Sequence, residues 1–221
     1  MTNNVNQWGE NAEKYQAYFA DDDRRTSSTV VFTRILEILG DIKGKKILDF
    51  GCGQGRFSRA FYDMGGVVTG YDRSKEELDI ALQLSDERDI LYSSERSVLT
   101  SDTYDIVLCF MVLLCNKKKE LYQIVKGIYN IAKSPGVCIF VNTNTDTLGE
   151  RFKDFYSIAP DDRKDGAQYT TIIPTSKGDI DIKDYFYTRD FLKQAFVANG
   201  FKVDSEEVIR DQFVLHIARK G

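Results

Sequence analysis

Residues 46–55 read Lys-Ile-Leu-Asp-Phe-Gly-Cys-Gly-Gln-Gly. A short apolar run passes straight into an acid, Asp49, and three alternating glycines, Gly51, Gly53 and Gly55. Glycine has no Cβ, so it permits positive φ and lets another group approach the backbone closely. Each glycine also loses more backbone entropy on folding than other residues, and a plain turn does not require three of them. A loop of this kind, between a buried strand and a helix N-terminus, is where open α/β sheets bind nucleotides.

Two phosphate motifs are excluded by the spacing. The dinucleotide pattern Gly-x-Gly-x-x-Gly has its third glycine where this chain has Arg56, and the phosphate-loop pattern needs Gly-Lys-Ser/Thr where Gly55-Arg56-Phe57 stands. A carboxylate, Asp49, at the mouth of the loop repels a pyrophosphate and favours a ligand carrying an ammonium or sulfonium. S-adenosylmethionine (SAM) is such a ligand. The next apolar run, Val67 to Tyr71, ends in Asp72, roughly 20 residues on, where a carboxylate accepts both ribose hydroxyls of an adenosine.

With these residues the chain resembles the class I SAM-dependent methyltransferases, whose first motif reads Asp-x-Gly-x-Gly-x-Gly and whose second strand ends in an acid. The resemblance spans about residues 8–143 and, more loosely, the C-terminal part. It implies a cofactor site of Asp49, Gly51, Cys52, Gly53, Gly55 and Asp72, with adenine between Arg73, Ser94 or Glu95, and Phe110. Trp8 and Tyr15, seven residues apart and on one helical face, fit the N-terminal aromatic helix that closes over the cofactor in many relatives. It further implies a small-molecule N- or O-methyltransferase of secondary metabolism with an aromatic cap after strand five. No metal is part of that picture.

The alternation of strands and helices agrees with this fold. Apolar spacing predicts helices over 28–39, 56–64 and 74–84, the last opened by a Ser74-Lys75-Glu76-Glu77 capping box. It predicts strands at 46–50, 67–71, 90–92, 104–109 and 137–141, the fifth after a turn at Pro135-Gly136. Leu121, Ile124, Val125 and Ile128 mark a further helix, and another, capped by Thr188, buries Phe191, Leu192, Ala195 and Phe196. The expectation is a doubly wound, mostly parallel, seven-stranded sheet closed by an antiparallel pair at 201–209 and 212–218. One domain, 1–221, is expected, with an N-terminal lid at 1–25 and a hairpin-bearing acceptor cap at 143–187.

Net charge of −4 and pI near 5.2 argue against a large nucleic-acid surface, and Lys117-Lys118-Lys119 reads as a solvated face. No apolar run approaches the ~20 residues of a membrane span and no leader is visible, so a cytoplasmic monomer or homodimer with reduced core thiols is expected. The four cysteines show no metal-ligand spacing. Candidates for acceptor chemistry are Tyr15, Asp146, Glu150, Tyr169, Tyr185 and Tyr187; the single histidine, His216, lies in an alternating run and reads as a core or edge residue. The motifs of amino-methylating nucleic-acid enzymes, cytosine C5 enzymes and arginine methyltransferases are absent. An RNA- or protein-directed methyltransferase, or a SAM-binding protein without turnover, are the competing readings.

Overall fold

The computed structural model of the protein describes residues 7–20 and 26–220. Parts of the expected lid, 1–6 and 21–25, lie outside the described residues. Five parallel strands carry the apolar runs: β1 (Lys46–Phe50), β2 (Val67–Tyr71), β3 (Leu91–Ser93), β4 (Tyr104–Phe110) and β5 (Ala132–Thr143). Two more, β9 (Phe201–Ile209) and β10 (Phe213–Lys220), pair antiparallel with each other, and β10 pairs antiparallel with β5. The sheet order is β3-β2-β1-β4-β5-β10-β9, the expected seven-stranded, mostly parallel sheet. The order reverses between β1 and β4, so the carboxyl end of β1, with its glycine loop, lies at the switch point where such sheets bind ligands.

Helices cover both faces because successive side chains on each strand point to opposite sides. Leu48 and Phe50 join one core with Leu121, Val125 and Ile128 of α5 (Lys118–Ile131) and Phe196 of α6 (Arg189–Ala198). Ile47 joins the other, with Val31 and Ile35 of α2 (Thr26–Leu39) and Phe61 of α3 (Arg56–Asp63). Helix α1 (Ala12–Ala20) brings Tyr15 to the cavity over the glycine loop, and α4 (Lys75–Ser85) starts beyond the carboxyl end of β2 and leads to β3. No helix among the described residues is long and apolar enough to cross a membrane.

Besides shifts of a residue or two at several ends, three features differ from the sequence reading. Strand β3 starts and ends one residue later than 90–92, since its ladder runs from Thr69↔Leu91 to Tyr71↔Ser93. Strand β5 begins at Ala132, which pairs with Tyr104 ahead of an irregularity that carries Pro135 and Gly136 past the ladder. The predicted hairpin is real, β7 (Gln168–Ile173) with β8 (Ile180–Tyr185), but a third strand, β6 (Tyr156–Ile158), makes it a separate antiparallel sheet. Ile173, Ile180 and Ile182 seat that sheet on the core face shared with α2 and α3. The cap therefore stands beside the N-terminal helices.

Of the two positions that its alternating context allows, core or edge, His216 takes the core one, on a strand flanked by β5 and β9. It is fully buried, its ring lies 5.2 Å from Phe196, and its Nε2 is 3.0 Å from Glu206 Oε2. Burial pushes its pKa down to about 4, whereas an unfolded histidine titrates near 6.5. The folded ring stays neutral while the unfolded chain takes a proton, so stability is full above pH ~6.5 and is lost as pH falls toward 4. Between pH 7 and 5 this costs about 2 kcal/mol. A His216→Leu protein should keep that increment when denaturant unfolding is compared at the two pH values; an equal loss in both proteins would assign the acid lability to other groups.

Candidate active site

The loop after β1 is held in a shape that only glycine tolerates at its turning points. Gly51 has φ +78°, and a Cβ there would run into the Val112 side chain. The N–H groups of Gly51 and Cys52 donate to the Tyr71 carbonyl at 2.7 and 3.0 Å, which ties the loop to the end of β2. Gly53 has φ +50°, and its N–H donates to Asp72 Oδ2 at 2.9 Å. The other oxygen, Asp72 Oδ1, accepts from the Ser74 N–H, also at 2.9 Å. Gly55 plays a different part: it precedes α3 in a left-handed conformation, and Tyr92 occupies the space a Cβ would take. It shapes the helix start rather than a cavity wall.

Asp49 does not stand at the mouth of the loop. It is buried beneath it and accepts a hydrogen bond from the Ser58 hydroxyl at 2.6 Å. Burial pushes its pKa up to about 6, against the Ser58 bond and with the Asp72 charge. At neutral pH most of its charge survives, so its preference for a cationic ligand is weakened in strength and unchanged in sign. Burial also raises the Asp72 pKa, while the N–H groups of Ser74 and Gly53 oppose that rise.

A single cavity of about 270 Å³ opens over this loop. Its floor is formed by Asp49, Gly51, Cys52, Gly53, Asp72 and Arg73, the expected cofactor residues. Trp8 and Tyr15 of the N-terminal segment close one side, their rings 5.2 Å apart edge to face, and Tyr18 stacks on Tyr15 at 5.9 Å. Gln54 fastens that segment by donating from Nε2 to the Ala12 carbonyl at 2.9 Å. Burial pushes the Tyr15 hydroxyl far above the usual tyrosine range, so it stays protonated and serves as a donor, not a base.

The opposite wall is aromatic. Phe57, Phe110, Phe213 and Phe155 form a continuous rail with centroid separations of 4.8, 6.2 and 6.0 Å. Two polar groups interrupt it. Asp154 lies in a tight turn closed by the Phe152 N–H to Phe155 carbonyl bond at 3.1 Å; it is 2% exposed, and its Oδ2 has no partner among the described residues. Thr171 donates to Asp184 Oδ2 at 2.7 Å from the buried face of β7, and burial lifts Asp184 to about 6.

Several sequence candidates are not in this wall. The cavity reaches Arg96 rather than Ser94 or Glu95; Glu95 is exposed because the chain turns outward after β3. Asp146 is half-exposed and ion-paired with Arg189 at 2.9 Å, and Glu150 is exposed. Tyr187 is fully buried, stacks on Phe191 at 4.8 Å, and donates its hydroxyl to the Asn116 carbonyl at 3.0 Å. Tyr169 and Tyr185 are buried packing residues, Tyr169 on the inward face of β7 against Leu148 and Phe186 and Tyr185 in the core with α5 and α6. None of these three tyrosines lines the cavity.

A family profile described as a methyltransferase domain matches residues 24–206. The chain belongs to this methyltransferase family. A ubiquinone biosynthesis O-methyltransferase of Coxiella burnetii (strain Dugway 5J108-111) is 27% identical over 161 residues, 70% of this chain and 62% of that protein. The chain spans 45–62% of the length of the first curated relatives it matches. Among solved structures, a SAM-dependent methyltransferase from Mesorhizobium loti superposes with a TM-score of 0.66 at 19% identity, over 85% of this chain and 96% of that one. The 1,6-didemethyltoxoflavin N1-methyltransferase of Burkholderia thailandensis, solved with 1,6-didemethyltoxoflavin and S-adenosylhomocysteine, gives 0.66 at 15% identity over 98% and 86%. These structures share the methyltransferase fold.

Sequence reading missed Glu77, Asp154 and the Thr171–Asp184 pair. Each carried a signal. Glu77, Ala81 and Ser85 form an i, i+4, i+8 row that is buried in α4, so an acid stands on the inward stripe. Asp154 sits between Phe152 and Phe155, an acid inside an aromatic run.

Proposed function

We propose that the protein transfers a methyl group from SAM to a small, flat, apolar acceptor bearing an O–H or N–H. The observation that carries this reading is a cavity in which a glycine-and-carboxylate floor meets an aromatic rail holding a carboxylate, Asp154, whose Oδ2 has no partner among the described residues. The residues present fit the donor: Gly53 leaves the space over the loop open, with only the Glu77 carboxyl near where its Cβ would stand, and Asp72 is fixed by two N–H groups as an acceptor for a ribose diol. When bound, SAM supplies a sulfonium methyl that is already an activated electrophile.

The protein's part is then positioning and proton removal. Trp8 and Tyr15 exclude water from one side, and the rail of Phe110, Phe213 and Phe155 holds a planar acceptor edge-on to the floor. Asp154 accepts a hydrogen bond from the acceptor's O–H or N–H and takes the proton as the new bond to carbon forms. The O-methyltransferase among the relatives and the N-methyltransferase among the solved structures both support a small-molecule acceptor. A concave cavity of about 270 Å³ with an aromatic wall matches a small planar acceptor better than a group carried on a macromolecular surface.

The test is a supply of methyl-labelled SAM with a cell extract separated by size. Label should pass to the small-molecule fraction, with phenolic and heteroaromatic acceptors preferred in a defined panel. Label in RNA or protein, or SAM binding without any product, would replace this reading with one of the two competing ones.

A further inference from the structure

Glu77 opens α4, and the Ser74-x-x-Glu77 spacing predicts two reciprocal capping bonds. Half of the pair forms. Ser74 Oγ accepts from the Glu77 N–H at 3.2 Å, but the Ser74 N–H is taken by Asp72, and the Ser74 hydroxyl donates to Glu76 Oε2 at 2.9 Å. The Glu77 carboxyl is left over. It turns into the cavity wall, 1% exposed, and neither Oε1 nor Oε2 has a hydrogen-bond partner among the described residues. Its Oε2 lies 3.6 Å from the position a Cβ on Gly53 would take, beside the loop residue that Asp72 holds.

A buried carboxyl with both oxygens unsatisfied is unfavourable in the free protein, and a leucine would suit the inward stripe of α4 better. The residue makes sense once a polar ligand meets it. We propose that Glu77 is a binding residue for the sugar of the adenosyl ligand, donating from its carboxyl to a ribose oxygen while Asp72 accepts from the sugar's hydroxyls. This rests on the SAM reading above. Asp72 brings only acceptor oxygens, and a vicinal diol offers lone pairs as well as protons. Glu77 supplies the missing donor.

The charged groups that act on Glu77 are Asp72 at the end of β2 and Glu76 on its own helix, both raising its pKa, while the Gln54 side-chain amide, close enough to act as a polar donor, opposes them; Tyr15 on α1 and Cys52 in the glycine loop lie near enough to feel the Glu77 charge in turn. Burial, and then the Asp72 charge, push its pKa up to about 8, while burial moves Tyr15 and Cys52 much higher. At neutral pH the carboxyl carries its proton and can donate. The ligand meets the protonated form, so affinity is full below pH 8 and is lost as pH rises through it.

The experiment is calorimetric titration with 5′-methylthioadenosine, which has the sugar and base but neither amine nor sulfonium. That choice matters because an α-amino group titrates near 7.7–8.0 itself. The wild-type protein should lose about tenfold in affinity between pH 7 and 9, the change set by one proton titrating near 8. Glu77→Gln should bind within about threefold of wild type at pH 7 and show no such fall, since an amide keeps the donor and cannot ionise. Glu77→Leu should bind roughly tenfold or more weakly, the loss of one hydrogen bond, while unfolding at a higher temperature when free. Equal affinity in the leucine protein, or a pH dependence that survives in the glutamine protein, overturns the assignment and leaves the SAM reading standing. A wild-type protein that binds neither this nucleoside nor SAM overturns both.

Discussion

An Asp72→Ala protein is expected to bind SAM at least about a hundredfold more weakly than wild type. The residue does two things at once. Its two oxygens hold the N–H groups of Gly53 and Ser74 at 2.9 Å each, which fixes the glycine loop against the start of α4. Asp72 also lines the cavity, and each oxygen keeps acceptor capacity for the ribose diol in the proposed complex. A hydrogen bond to a charged group is worth ~1.5–3 kcal/mol, so losing two gives ~3 kcal/mol or more, which is two decades in affinity. Loop loosening adds to that. Asp72→Asn keeps one carbonyl oxygen for Gly53 and should fall between the two. Calorimetry with SAM, alongside thermal unfolding of the free proteins, separates lost contact from lost fold; unchanged affinity in the alanine protein would remove Asp72 from the site.

The scaffold was legible because its signals are local. Apolar runs such as Lys46–Phe50 and Val67–Tyr71 are buried strands, and the residue that follows a parallel strand lies at the ligand end whatever the rest of the chain does. Gly51 and Gly53 could be read for the same reason: their conformation is written in their residue type. The acceptor wall depends on which face of an added sheet turns inward, and tyrosine content is a poor guide to that. Alternation along β7 places Tyr169, Thr171 and Ile173 on the buried face, and along β8 Ile180, Ile182 and Asp184. An acid and a threonine on those inward rows were the informative residues, whereas Tyr187 fills the core and Asp146 pairs with Arg189 outside. Ser94 and Glu95 lie outside the cavity lining for a different reason: β3 is three residues long, and a one-residue shift in its end redirects every side chain after it.

The second large effect is expected at Asp154, on turnover and not on donor binding. Asp154→Asn should lower kcat about a hundredfold, the lower end of what a positioned base contributes, and leave SAM affinity within about threefold. The separation follows from placement. Asp154 belongs to the turn that leads into β6, anchored by the Arg151↔Tyr156 bridge and the Phe152–Phe155 bond, and no hydrogen bond joins it to the glycine loop or Asp72. Asparagine preserves volume and one acceptor oxygen, so an acceptor can still dock along Phe155 and Phe213, but the amide cannot take a proton. With a phenolic acceptor, whose hydroxyl ionises near pH 10, the asparagine protein should regain rate as pH rises, about tenfold per unit below that value, because the acceptor then arrives already deprotonated. A structural role predicts no such recovery. If turnover is unchanged, or if SAM affinity falls as far as kcat, Asp154 is a wall residue, and the Thr171–Asp184 pair, with Asp184 near 6 and one hydroxyl on the cavity surface, becomes the group through which the acceptor's proton leaves.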